Sequence, residues 1–135
     1  MNECFFCRII KGQMPCEKVY EDACVLSFLD ISPISRGHTL VLPKKHFTTL
    51  FDIPQEDLRA CMSACQKIGK ALLGATKATG LNLLQNNYPS AGQIVHHIHF
   101  HLIPRFAGDN LHLWSGKHCP PGSLAEVLAS IRAQL

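Results

Sequence analysis

Positions 96–101 read HHIHFH and hold four of the eight histidines in a chain of 135 residues. On an extended strand alternate residues share a face. Val95, His97, His99 and His101 are therefore expected on one face, and Ile94, His96, Ile98, Phe100 and Leu102 on the other. The second set is mostly apolar and suits a core. The first set lines up three imidazoles. Such a row can be a set of satisfied surface or core histidines, or a purification-tag remnant, although its place inside an apolar strand argues against a tag. It can also be a metal site. Two rings two residues apart can share zinc, but the outer pair of three is about 13 Å apart on a straight strand. Without a bend, at most two should converge on one ion, so the row points to divided labour. The remaining chemistry is nucleophilic. A neutral imidazole attacks phosphorus or an acyl carbon when its other nitrogen donates to a fixed acceptor, and a second histidine can pass a proton to the leaving group. The preceding NNYPSAGQ offers small residues and N–H groups that could cradle a phosphate.

These residues need elements to hold them. KVYEDACVLSFL (18–29) reads as a hairpin turning at Glu21-Asp22, and HTLVLPK (38–44) as a strand ended by Pro43. DISPISRGH between them is a loop. A long helix is expected after Asp52 as cap and Pro54 in its first turn, with Leu58, Cys61, Cys65, Ile68, Leu72 and Ala75 at helical spacing and Gly80 as its stop. LNLLQNN (81–87) reads as a strand, Ile94 to Ile103 as a long strand ended by Pro104, and SLAEVLASIRAQL as a C-terminal helix capped by Ser123 with Glu126 three residues on. The pattern is α+β: a five-stranded antiparallel sheet, one long helix and a C-terminal helix. Residues 1–135 are expected to make one domain.

Composition excludes several classes. The chain is 47% hydrophobic and 17% charged, an ordinary globular balance. Net charge is +3 without a basic block, so nucleic acid is not an expected partner, while a small anion is compatible. No apolar run approaches a membrane span, and MNECFFCRII does not suit a signal peptide. Seven cysteines then read as reduced thiols in the cytoplasm, some buried and some on metal. Cys4-Phe5-Phe6-Cys7 is a CxxC that by itself suits a redox pair or two buried thiols.

GQIVHHIHFHLIPR (92–105) closely resembles the signature of the histidine triad (HIT) superfamily. CFFCRIIKGQMPCEKVYED is similar to the opening of its bacterial, zinc-containing branch. FLDISPISRGHTLVLPKKH is similar to its nucleoside-binding strand-loop-strand, and LNLLQNN to its next strand. The resemblance covers residues 4–106 and leaves 107–135 as a variable tail. It implies an α+β homodimer that binds purine nucleotides and hydrolyses the bond between an α-phosphate and its leaving group. Substrates would be nucleoside 5′-phosphoramidates such as an adenosine phosphoramidate, aminoacyl-adenylates or dinucleoside polyphosphates.

Residue by residue, the resemblance makes His99 the nucleophile that forms a nucleotidyl-histidine. His101 stands beside the α-phosphate, His38 is the outer histidine of the proton network, and the backbone carbonyl of His97 accepts from the nucleophile. Asn86 and Gln93 match phosphate-pocket positions, and Asp30 the ribose carboxylate. Leu29, Ile31, Phe5, Phe6 and Met14 match the base-pocket wall. From the residues alone, Asp30 also suits a turn, and Phe5, Phe6 and Met14 also suit a core. Cys4, Cys7, His46 and His97 match a structural Zn²⁺ site, with no organic cofactor. His101, where relatives that transfer nucleotides to sugars carry Gln, points to water as acceptor. Cys16, Cys24, Cys61, Cys65 and Cys119 remain as small buried or incidental residues. Three positions depart from the pattern. Ile94 replaces a Ser or Thr that can touch phosphate, His96 replaces an aromatic residue, and Phe106 replaces a Tyr. Two other functions stay open: a purine-nucleotide-binding regulatory protein with little turnover, and a zinc metallohydrolase that uses the triad directly. The long helix and LNLLQNN are the expected dimer surface.

Overall fold

Leu26 and Phe28 alternate with Val25 and Ser27, and Leu40 and Leu42 with Thr39 and Val41, and all eight are buried. Strands that are apolar on both faces need a cover on each. The computed structural model, which describes residues 4–135, supplies both. The elements run α1 (Phe5–Ile10), β1 (Lys18–Glu21), β2 (Val25–Leu29), β3 (Thr39–Pro43), α2 (Gln55–Thr76), β4 (Gly80–Leu84), β5 (Phe100–Arg105) and α3 (Ser123–Gln134). The five strands form one sheet in the order β1-β2-β3-β5-β4, every neighbour antiparallel. Helix α2 lies on one face, where Cys61, Cys65, Ile68 and Leu72 pack against Val25, Val41, Ile98, Phe100 and Leu102. Helix α1 covers part of the other, with Phe6 and Ile9 against Leu26, Phe28, Leu40 and Leu42. The histidines that matter most emerge beside α1.

The α+β sheet agrees with the sequence reading, while several boundaries differ for physical reasons. Residues 94–99 are not strand. The chain bends at 95–97 and β5 begins at Phe100. Ile98, Phe100 and Leu102 reach the core as expected, whereas Ile94 and His96 are exposed. Pro43 ends β3 as expected, whereas Pro104 lies inside β5 rather than ending it. Pro104 sits beyond Leu102, the last β5 residue paired with β3. Asp52 does not cap α2. Its carboxylate accepts from the backbone N–H groups of Thr48 (2.9 Å) and Thr49 (2.6 Å), closing the turn before the helix. The helix ends at Thr76, four residues before Gly80, because Lys77 takes the left-handed conformation at φ 62°. Ser123 does not cap α3 either; its hydroxyl bonds the carbonyl of Pro120 instead. Helix α3 buries none of its residues. Of the cysteines expected to be buried or incidental, Cys24 and Cys119 are exposed, while Cys61 and Cys65 fill the core and burial pushes both thiols up to about 12.

Gly37 shows how tightly the approach to the site is held. It has φ +91°, and a Cβ there would stand 2.8 Å from Thr76 Cγ2 and 3.3 Å from a Pro104 ring carbon. Only glycine suits that backbone at that distance. It delivers the chain to His38, which is buried. Among the described residues no helix is long and apolar enough to cross a membrane.

Candidate functional site

The bend at 95–97 separates the three alternating histidines into two neighbourhoods. His97 turns under α1. There its Nδ1 lies 3.6 Å from the sulfur of Cys4, 3.6 Å from that of Cys7 and 3.2 Å from His46 Nδ1. Cys7 Sγ and His46 Nδ1 are 3.3 Å apart. A tetrahedral zinc with its usual bond lengths needs about 3.3 Å between two nitrogens and about 3.6 Å between nitrogen and sulfur. These four separations lie close to those values, all four donor atoms stand within 4.8 Å of one another, and two thiols with two imidazoles are the chemistry Zn²⁺ prefers. The other nitrogen of His97 donates to the Pro43 carbonyl at 2.8 Å, the outer hydrogen bond that orients a ligating imidazole. Burial holds His97 near a pKa of about 4, so its Nδ1 offers a lone pair.

His99 and His101 stay together, with ring centroids 4.9 Å apart. Their hydrogen bonds determine their tautomers. His99 Nδ1 lies 2.7 Å from the His97 carbonyl oxygen. A carbonyl can only accept, so Nδ1 carries the proton and Nε2 keeps its lone pair. His38 Nδ1 accepts the Ile34 backbone N–H at 3.0 Å, so the proton of His38 is on Nε2. That nitrogen is 2.9 Å from His101 Nδ1 and donates to it, which leaves the proton of His101 on Nε2. Nothing in the sequence marks Ile34, because the role belongs to its backbone. Burial lowers the pKa of all three rings, His101 to about 4. The Asp30 carboxylate, 3.7 Å from His38 Nε2, opposes that shift without cancelling it. The site therefore works with neutral imidazoles: one aims a lone pair and the next a proton. Asp30, His38 and His101 also form a ligand-like cluster, but the proton on His38 Nε2 occupies the lone pair a metal would need.

A cavity of about 390 Å³ opens over these rings. Phe5, Phe6, Leu29, Asp30, Ile31, His38, Asn86, His99 and His101 line it, as the sequence reading expects. Phe6 sets its ring edge-on to His99, with centroids 5.0 Å apart, so the apolar wall and the imidazole are in direct contact. Asp30 also makes the turn it suited on its own, since its Oδ1 accepts the Ser32 N–H at 2.8 Å. Its second oxygen faces His38. Pro15, Cys16, Ile34 and Leu40 join the wall unannounced. They come from loops and a strand whose apolar residues looked like core.

Two expected residues lie elsewhere. Met14 packs against the cluster under α1, not into the cavity. Gln93 is buried, and its side chain turns away from the cavity. Its Oε1 accepts the Tyr88 N–H (2.8 Å), and its Nε2 donates to the carbonyls of Thr48 (2.7 Å) and Val95 (3.3 Å). It locks the loop that presents Asn86 rather than reaching a phosphate. His97 contributes its backbone carbonyl to the His99 ring and its own ring to the four-donor cluster.

Known proteins are similar to this chain in sequence and fold. The model of the HIT domain matches residues 11–108. The chain is 41% identical over 138 residues to protein hit of Bacillus subtilis, covering 99% of this chain and 95% of that one. It is 44% identical over 110 residues to an adenylylsulfatase of Arabidopsis thaliana, covering 82% of this chain and 56% of that longer protein. It is 42% identical over 102 residues to an adenosine 5′-monophosphoramidase of Schizosaccharomyces pombe, 76% of this chain and 74% of that one. A Streptococcus mutans crystal structure superposes with TM-score 0.93 at 44% identity, covering 99% of this chain and 86% of that one. A zinc-bound histidine triad protein of Mycobacterium smegmatis superposes with TM-score 0.77 at 37% identity, covering 98% and 97%. With its three histidines sorted between a four-donor cluster and a nucleotide-sized cavity, the chain belongs to the HIT domain family.

Proposed function

We propose that the protein is a nucleotide hydrolase that releases a nucleoside 5′-monophosphate through a nucleotidyl-histidine. The observation that carries this reading is the 2.7 Å bond from His99 Nδ1–H to the His97 carbonyl, which leaves Nε2 as a fixed nucleophile in the cavity. A nucleotide would lay its base against Phe6 and its ribose near Asp30. As the bond from His99 Nε2 to the α-phosphorus forms, the bond to the leaving group breaks. The leaving group departs with its electron pair and a proton relayed through His101 and His38. Water then attacks the phosphorus, restores neutral His99 and returns a proton to the network. The net reaction consumes one water. Nucleoside 5′-phosphoramidates, aminoacyl-adenylates and dinucleoside polyphosphates have the required bond. The S. pombe relative's name as an adenosine 5′-monophosphoramidase supports the first.

Cys4, Cys7, His46 and His97 would hold a structural Zn²⁺. With all four positions taken by protein, these residues would hold the ion as a structural brace that fixes the His97 backbone and its carbonyl. The zinc-bound M. smegmatis neighbour and the donor separations support this. A cytoplasmic location, where the thiols stay reduced, belongs to the same proposal. So does a homodimer through α2 and β4, because β4 is an edge strand whose Leu83 stays half exposed.

The test is release of AMP from adenosine 5′-phosphoramidate by wild type and His99→Ala, each with and without a chelator. Steady turnover that the substitution abolishes and chelation leaves supports the reading. No turnover by wild type transfers the weight to a nucleotide-binding protein. Turnover lost only on chelation transfers it to a zinc hydrolase.

A further inference from the structure

We propose that the far end of the cavity selects an apolar, uncharged leaving group, with Ile94 as the selecting residue. This rests on the hydrolase reading above. The cavity runs across the sheet. Phe28 on β2 and Phe6 on α1 make one wall, His99 just before β5 and His101 within it follow, and Gly92 and Ile94 line it from the β4–β5 connection. A nucleotide with its base on the aromatic wall and its phosphorus at His99 sends its leaving group toward Ile94.

Two observations define what that end accepts. Among the described residues no lysine or arginine lines the cavity, and its only carboxylate is Asp30. The chain carries 13 lysines and arginines, all placed elsewhere. A polyphosphate or other anionic leaving group would enter without a fixed cation to meet its charge. Ile94 itself is 87% exposed at the lip, a branched aliphatic side chain left in water. It is not on a loose loop, since the flanking Gln93 ties Tyr88, Thr48 and Val95 together. An aliphatic or aromatic group on the departing amine or acyl would cover Ile94 and remove apolar area from water. A carboxylate or phosphate there would be desolvated beside it without a partner.

The experiment compares kcat/KM for three adenosine 5′-phosphoramidates and diadenosine tetraphosphate. The phosphoramidates are unsubstituted, N-(3-methylbutyl) and N-(2-carboxyethyl). Wild type, Ile94→Ser, Ile94→Lys and His99→Ala are assayed. Wild type should favour the methylbutyl compound over the carboxyethyl compound and diadenosine tetraphosphate by at least about tenfold, the scale of a few methylenes in an apolar contact. Ile94→Ser should bring the methylbutyl-to-carboxyethyl ratio close to one. Ile94→Lys should raise the rate for the two anionic leaving groups in a salt-sensitive way. Equal wild-type rates for methylbutyl and carboxyethyl, or a ratio unmoved by Ile94→Ser, would overturn the inference while the hydrolase reading stands. Absence of turnover of the unsubstituted compound would take down both.

Discussion

Replacing Gln93 by Ala separates a loop lock from a phosphate ligand. The buried amide makes three hydrogen bonds, at 2.8, 2.7 and 3.3 Å. Ala would leave the Tyr88 N–H and the carbonyls of Thr48 and Val95 without their partner. Each stranded buried group costs about 1–3 kcal/mol. The Val95 contact is long and contributes least, so the sum should be about 2–4 kcal/mol. For a domain of this size that lowers the thermal midpoint by roughly 10 °C. Tyr88 adds to the expectation: it is held at φ 70°, an uncommon conformation for a non-glycine residue that its neighbours must impose. Gln93→Glu keeps an acceptor for Tyr88 but turns a carboxylate toward two carbonyls, so it should be no better than Ala. The assays are calorimetric unfolding and kcat/KM for AMP release, measured on the same preparations. A midpoint within about 2 °C of wild type, together with a large loss of kcat/KM, would refute the lock and return Gln93 to the phosphate.

Other perturbations test separate parts of the structure. Metal analysis should find one zinc per chain, and Cys7→Ser should lose it and unfold at lower temperature. Cobalt substitution should show thiolate charge-transfer absorption in wild type only, and a protein without stoichiometric metal would contradict the four-donor site. The acid limb of kcat/KM should hold well below pH 6.5 and fall toward about 4, where burial places His101. A limb centred on 6.5 would mean solvated imidazoles. The same group sets a stability window. Its folded pKa lies below the unfolded value of about 6.5, so below that pH the unfolded chain binds more protons. Stability should be full above pH 6.5 and decline as pH falls to about 4, readable as a shrinking urea midpoint. Ser27 Oγ is buried without a hydrogen-bond partner among the described residues, so Ser27→Ala should raise stability by roughly 1 kcal/mol. A loss instead would mean that the hydroxyl is satisfied in solution.

Much of the protein was legible from residue order alone. Alternation at 97, 99 and 101 announced a row of imidazoles, and the length of a straight strand already required that row to bend or to divide its work. Helical spacing of Cys61, Cys65, Ile68 and Leu72 marked the buried face of α2, and glycine and proline marked the loops. Those signals are local: each depends on which side chains follow one another. Three decisions were made only in three dimensions. The bend at 95–97 sends His97 to Cys4, Cys7 and His46, which lie far from it in sequence. The tautomers of His38, His99 and His101 follow from a backbone N–H at Ile34 and a backbone carbonyl at His97, groups every residue possesses. Position in a motif points Gln93 and Met14 at the nucleotide, yet a motif fixes where a Cα sits and not where its side chain finds partners. Asp52 and Ser123 suit helix caps by position in the same way, and nearer backbone groups claim them. Side chains with several available partners are settled by distance, and distance is a property of the fold.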